Sequence, residues 1–156
     1  MITILALVVV GAIGSMVFPK LMRSHSIPIG KCQAVPLSFE TESGQTVRAE
    51  WTTCLESVTL VPTAARVNVS WKAAIFHDTA SMLRPSDHGN TKIYLVDEDG
   101  RRYFFHALGG AAATDTEFRS GDTFHGWYDF PIPSPIPSRM AFIDEDVGVK
   151  IWFTIR

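Results

Sequence analysis

The chain has 156 residues, 46% of them hydrophobic and 11% aromatic, and its 14 basic and 16 acidic side chains give a formal charge of −2. This near balance argues against a nucleic-acid-binding module, which would carry a clustered basic excess, and the hydrophobic content argues against a disordered chain. The length allows one domain with a short appendage. No motif identifies a reaction, so the sequence is more informative about location and architecture than about catalysis.

The N-terminal residues 1–23 are predicted to form a transmembrane anchor or a signal segment. Residues 2–18 contain no charged side chain, and a helix of that length would extend about 25 Å, close to the thickness of a bilayer's hydrocarbon core. Pro19 and nearby basic residues end the apolar run. A cleaved signal peptide is the alternative, but such a peptide begins with a basic segment, and no basic residue precedes this run. We predict one uncleaved transmembrane helix, followed by a tether in residues 24–31.

The first element predicted beyond the tether is a β-hairpin. Two alternating segments, 32–40 and 46–54, flank turn-forming residues. A turn centred on Ser43 would place apolar side chains opposite one another on one face, in the pairs Phe39–Val47, Leu37–Ala49 and Val35–Trp51. A shift of one residue would set apolar side chains against polar ones, which a half-buried sheet disfavours.

The same register places Cys32 opposite Cys54, at a separation that a disulfide can bridge. We therefore predict a disulfide, with two reduced thiols or a reactive or metal-binding pair as the alternatives. Disulfides persist in oxidising compartments, so the domain is expected outside the cytoplasmic membrane. Lys20 and Arg23 follow the apolar run, and basic residues in that place weakly favour a cytoplasmic orientation of the domain. Secretion after cleavage is a further alternative.

The rest of the chain also alternates with a period of two. The further predicted strands are 67–75, 93–96, 102–106, 123–130, 140–143 and 149–155. Asp97–Gly100 is a hairpin signal, and prolines 131, 133, 135 and 137 predict a stiff crossover between strands. Residues 109–113, Gly-Gly-Ala-Ala-Ala, are predicted to form a flexible connection. Seven or eight short antiparallel strands indicate an all-β domain over residues 32–156, built as two stacked sheets or a barrel.

Two motifs in the second half of the chain resemble those of a known family. The first is Ile93-Tyr-Leu-Val-Asp-Glu-Asp-Gly-Arg-Arg-Tyr103, and the second is Gly126-Trp-Tyr-Asp-Phe-Pro-Ile-Pro133, preceded by the turn at Gly121. They resemble a bacterial immunoglobulin-like β-sandwich family of secreted immunoprotective antigens and membrane-tethered proteins of unknown function. The likeness covers residues 60–156. It implies an immunoglobulin-like antiparallel sandwich outside the cytoplasm, usually without enzymatic activity, and it supplies no catalytic residues.

The polar residues suggest few sites. His77-Asp78 and Asp87-His88 flank a polar loop that would bind a transition metal if its ends met. The acidic triplets 97–99 and 144–146 lack the other ligands of a calcium loop and are predicted to be solvated turns. A cysteine–histidine hydrolase would need a free thiol, which the predicted disulfide removes.

These observations predict a membrane-anchored, extracytoplasmic β-sandwich interaction module that has no catalytic residues and no cofactor. It would bind an unidentified protein partner through aromatic patches, loops or a sheet edge. The alternative is a domain that binds a small ligand or a metal ion through the loops near His77–His88 and the acidic turns.

Overall fold

The computed structural model describes residues 24–41, 43–61, 63–76, 81–83 and 91–155, and these residues form eleven β-strands. The strands are β1 His25–Glu40, β2 Thr46–Val61, β3 Ala64–Ile75, β4 Ser81–Leu83, β5 Ile93–Asp97, β6 Arg102–Phe104, β7 Ala107–Gly110, β8 Glu117–Arg119, β9 Thr123–Pro131, β10 Arg139–Asp144 and β11 Val149–Thr154.

The strands pair into two main antiparallel sheets and one small one. The five-stranded sheet has the order β1-β2-β3-β9-β7, the four-stranded sheet has the order β11-β10-β5-β6, and β4 pairs with β8. Alternate side chains of both main sheets meet in one core, whose largest members are Trp51, Trp71, Phe118, Tyr128, Phe130, Phe142 and Phe153. The predicted all-β antiparallel sandwich is therefore confirmed.

The predicted count of seven or eight strands is wrong, since the described residues contain eleven. The strands that were not predicted, β4, β7 and β8, have only three or four residues each. Segments that short show no alternation, and their pairing with distant strands decides their conformation.

The predicted hairpin register is confirmed. Val35 pairs with Trp51, and Cys32 pairs with Cys54. The two sulfurs form a disulfide, with the Cα atoms 4.0 Å apart. The register holds because Val47, Ala49 and Trp51 are buried on the inner face of β2, so a shift would expose them.

The predicted tether in residues 24–31 is instead mostly strand, because β1 begins at His25. His25 pairs with Leu60, and the register shifts between Pro28 and Lys31. Gly30 lies in this irregularity with φ of 62°, a left-handed conformation that glycine adopts readily. The Ser-Pro-Gly composition suggests a loop, but the long strand β2 offers these residues a partner.

The predicted transmembrane helix lies in residues 1–23, which are outside the described residues. Within the ranges that the structure describes, no helix is both long and apolar enough to cross a bilayer.

Two connections complete the sandwich. The proline-rich segment after β9 carries the chain from the five-stranded to the four-stranded sheet, as the predicted crossover requires. Residues 109–113 are not a flexible connection. Their glycines end β7, and Ala111–Ala113 forms a 3-10 turn. This turn packs against Gly126, where a Cβ atom would lie 2.7 Å from the backbone nitrogen of Ala112.

Candidate binding face

The outer face of the four-stranded sheet combines aromatic, aliphatic and basic side chains. In β10 and β11 the residues of the core, including Met140, Phe142, Ile151 and Phe153, alternate with residues on the opposite face. Trp152 pairs with Ala141, which in turn pairs with Val96 of β5. We call this surface the cationic face and define it by Tyr94, Val96, Arg102, Phe104, Arg139, Ala141, Ile143, Lys150 and Trp152, together with Lys31 at its edge.

Trp152 is surrounded by cations. The guanidinium carbon of Arg139 lies 4.6 Å from the indole centroid, and the Lys150 ammonium lies 5.3 Å from it. Lys31, on the neighbouring edge of the other sheet, donates a hydrogen bond of 2.8 Å from Nζ to the Trp152 carbonyl oxygen. All three cations are exposed, and none forms an ion pair with a carboxylate in the part of the chain that the structure describes. Their positive charge is therefore directed to solvent.

The other end of the cationic face is more nearly neutral. Arg102 lies over the ring of Tyr94 at 4.6 Å and approaches Glu145 at 3.6 Å. The Tyr94 hydroxyl donates a hydrogen bond of 2.7 Å to Glu145, and burial together with this bond raises the pKa of the phenol. Phe104 packs 5.5 Å from Tyr94 and remains 40% exposed. An aromatic ring thus stands at each end of the face, the exposed Phe104 at one and the partly buried Trp152 at the other, and the unpaired cations are gathered at the Trp152 end.

The middle of the cationic face is aliphatic. Val96 and Ile143 are partly buried, and Ala141 is fully buried although it lies on the side away from the core. Ala141 lies between Trp152 and Val96 in the strand pairing, so its larger neighbours shield it. The middle of the cationic face is thus apolar and partly buried, with basic side chains at its Trp152 end.

The edge of this sheet is joined to the five-stranded sheet by side chains rather than by strand pairing. Gln33 of β1 accepts a hydrogen bond of 2.8 Å from the Lys150 backbone nitrogen and donates one of 3.4 Å to the Gly148 carbonyl oxygen. Lys31, two residues earlier on the same side of β1, binds the carbonyl of Trp152. The cationic face is therefore held in place by β1, whose Cys32 lies between these two residues and bonds to Cys54.

A second partly buried tryptophan, Trp127, lies on the outer face of the five-stranded sheet, but its neighbours are already paired with one another. Arg66 makes a two-bond ion pair with Asp129, both at 2.8 Å, and lies 4.0 Å from the centroid of Trp127. This pairing raises the pKa of Arg66. The indole also lies against Gly109, where any Cβ atom would overlap it. The charges of this cluster cancel, so it offers a ligand less than the cationic face does.

The acidic turn 97–99 is not simply a solvated turn, because Asp97 is only 6% exposed. Its oxygens accept hydrogen bonds from the Tyr103 hydroxyl at 2.6 Å and from the backbone nitrogens of Asp99 and Arg101 at 2.9 Å. The bond from Tyr103, with those from the two backbone groups, holds the pKa of Asp97 below its usual range despite the opposing effect of burial. This carboxylate therefore stabilises the turn and has little capacity left for a ligand.

A cleft of about 290 Å³ separates this turn from the proline-rich crossover, with Glu98, Arg101 and residues 133–138 among its lining. Its volume is at the lower limit for small-molecule sites. The Ser138 hydroxyl donates a 3.4 Å hydrogen bond to Glu98 across it. Asp144, the first residue of the acidic triplet 144–146, is likewise buried, with 1% of its surface exposed. The first residue of each acidic triplet is therefore buried in the domain and not solvated.

The predicted metal ligands His77, Asp78, Asp87 and His88 lie outside the described residues. Within the described ranges, no group of three histidine, cysteine, aspartate or glutamate residues is arranged to hold a metal ion. The two cysteines of the chain are both in the disulfide, so the alternatives that need a free thiol are wrong.

Sequence reasoning missed the cationic face. The signal was the alternation in 149–155, where Lys150 and Trp152 occupy the positions between apolar residues, and the similar alternation that begins at Arg139. The pairing of β5, β10 and β11 that brings these residues together spans more than forty residues of sequence, so no local pattern reveals it.

No protein-family model matches this chain, and no curated protein matches it. Among solved structures, the chain is similar to MPT63, a secreted protein from Mycobacterium tuberculosis. The two are 17% identical, the match covers 76% of this chain and 91% of MPT63, and the TM-score is 0.42. The motifs quoted above resemble a family that includes secreted proteins.

Proposed function

We propose that this chain is a non-catalytic binding module that works outside the cytoplasm, held at a membrane by its N-terminal segment, and that it binds acidic partners through the cationic face. The observation that carries this proposal is the grouping of Arg139, Lys150 and Lys31 around Trp152. Among the residues that the structure describes, no carboxylate forms an ion pair with any of the three.

Electrostatics supports an acidic partner. The chain as a whole has a formal charge of −2. The residues outside the group near Trp152 therefore carry a net negative charge, and the positive charge is localised at that group. A localised field of this kind orients an approaching acidic molecule and speeds its association. Arginine and tryptophan are also among the residues that contribute most binding energy at protein interfaces.

The disulfide supports the location. Cys32 is exposed on β1, where the reductants of a cytoplasm would reach it, so the bond is suited to an oxidising compartment. The uncharged run 2–18 supports attachment to a membrane.

Binding is tested with the full chain in neutral detergent and with poly-L-glutamate as the acidic probe. We expect the chain to bind immobilised polyglutamate at low salt and to elute as salt is added, because added ions screen exposed charges. The double variant Arg139→Gln/Lys150→Gln should lose most of this retention. The matched control Arg48→Gln/Lys72→Gln removes two exposed cations from the other sheet and should change retention little. Equal losses in the two variants would refute the assignment to the cationic face.

Location is tested by labelling intact cells with a membrane-impermeant thiol reagent, before and after reduction. Labelling that appears only after reduction supports the disulfide and the outward location together. Labelling that requires cell lysis would place the domain inside and refute the extracytoplasmic proposal.

A further inference from the structure

We infer that the acidic partner of the cationic face is an anionic lipid surface, so that the sandwich lies on the bilayer with its four-stranded sheet toward the headgroups. This inference rests on the proposed function and narrows it to one class of partner.

The charges of the face match such a surface. Arg139, Lys150 and Lys31 are exposed and have no described carboxylate partner, and the indole of Trp152 lies within 5.3 Å of two of these cations. Each lysine or arginine held near an anionic membrane strengthens binding by about fivefold. Tryptophan is enriched at the headgroup level of membranes, because its ring is apolar and its N–H is polar.

The shape and composition of the face also favour lipid. A deep pocket would suit a peptide side chain, whereas this surface is the face of a four-stranded sheet. Adjacent strands in a sheet are about 4.8 Å apart, so the two edge strands, which carry Trp152 and Phe104, are about 15 Å apart. Val96 and Ile143 lie between them. Rings separated in this way by aliphatic side chains can enter the headgroup layer together while the cations stay with the phosphates.

The chain is also expected to be close to a bilayer. The uncharged run ends at Phe18 and β1 begins at His25, so six residues separate them. Six extended residues reach about 20 Å. Lys31, six residues into β1, binds the carbonyl of Trp152. These six residues add about 20 Å of extended chain, so if the run inserts into a membrane, Lys31 and the cationic face lie within about 45 Å of chain from its end and can reach the headgroups.

The experiment uses the full chain reconstituted into vesicles, either of neutral phosphatidylcholine or of phosphatidylcholine mixed with anionic phosphatidylglycerol, both with brominated acyl chains that quench nearby indoles. The chain has four tryptophans, of which Trp51 and Trp71 are buried. The variant Trp127→Phe therefore reports on Trp152. The matched variant Trp152→Phe reports on Trp127, on the opposite sheet.

We expect the fluorescence of Trp127→Phe to be quenched in anionic vesicles and not in neutral ones, and the fluorescence of Trp152→Phe to be the same in both. Adding Arg139→Gln and Lys150→Gln to Trp127→Phe should weaken docking by about fivefold for each cation removed. Adding Arg48→Gln and Lys72→Gln should leave the quenching unchanged.

Equal quenching of Trp152 in the two kinds of vesicle would overturn the lipid assignment. If the chain then still bound polyglutamate in a way that depended on Arg139 and Lys150, the partner would be an acidic protein and the proposed function would stand. If that dependence were absent as well, both proposals would fail.

Discussion

The side chain of Gln33 hydrogen-bonds the backbone of Lys150 across the gap between the two sheets, with 2.8 Å between Oε1 and the amide nitrogen. A glutamine of one sheet thereby covers part of the open edge of the other, at Lys150, the residue whose ammonium flanks Trp152. Unpaired sheet edges attract other chains, and a side chain that occupies one limits such contacts. The integrity of the cationic face is therefore tied to β1.

Substituting Gln33 tests this connection. Gln33→Ala removes the bonds to Lys150 and Gly148 and should lower the free energy of unfolding by about 1 kcal/mol, since each such bond has a modest net value. Urea titration measures the change. Gln45→Ala is the control. The hydrogen bond from Gln45 to the Thr41 hydroxyl uses the backbone nitrogen of Gln45, so this substitution leaves it in place. An unchanged urea midpoint for Gln33→Ala would show that these bonds do not hold the edge.

Removing the disulfide should destabilise the sandwich. Cys32→Ser/Cys54→Ser opens a link between residues 22 positions apart, which in the chain-entropy model lowers the free energy of unfolding by about 3 kcal/mol. Reducing the native chain should give a similar loss, and the double variant should not respond to reductant. A reductant effect that persists in the double variant would contradict this explanation.

Asp97 predicts a dependence on pH. Its pKa is lowered in the folded chain, so its contribution to stability is present above the unfolded-state pKa of about 3.9 and is lost as the pH falls through the folded-state value. Asp97→Asn should therefore be less stable than the native chain near neutral pH, and the difference should shrink below about pH 4. Urea midpoints across this range measure it, with Asp99→Asn as control. A difference that stays constant with pH would exclude the carboxylate's charge as the cause.

Gly126 and Gly109 form a matched pair for steric tests. A Cβ on Gly126 would lie 2.7 Å from the backbone nitrogen of Ala112, whereas the three atoms nearest to a Cβ on Gly109 all belong to the side chain of Trp127. A side chain can rotate away and a packed backbone cannot, so Gly126→Ala should cost about 1–3 kcal/mol of stability and Gly109→Ala less. Thermal unfolding of both variants measures the order, and the reverse order would contradict the packing described here.

The parts of the fold that could be predicted are those fixed by local alternation. The β1–β2 register follows from residues such as Val35 and Trp51, which must share the buried face, and that register alone placed Cys32 opposite Cys54. The start of β1 at His25 could not be predicted in this way, since a Ser-Pro-Gly segment forms a strand only because β2 continues to Val61 beside it.

The binding face depends on distant pairings. Arg139, Lys150 and Arg102 are each unremarkable in the sequence, and their grouping arises when β10 pairs with both β5 and β11. The burial of Asp97 was missed for a related reason, because its partner Tyr103 belongs to the next strand and the acidic triplet by itself looks solvated. Hydrophobic alternation predicts which face of a strand is buried, but it does not predict which outer faces combine.

The most direct test of the central claim, that the cationic face is the binding surface, is the indole N–H spectrum of the four tryptophans recorded by NMR while polyglutamate is added to the full chain in neutral detergent. Trp152 should shift progressively with the polymer. Trp51 and Trp71, which are buried, and Trp127, on the opposite sheet, should stay in place. A shift of Trp127 with Trp152 unmoved, or bound polymer with no indole displaced, would contradict the account.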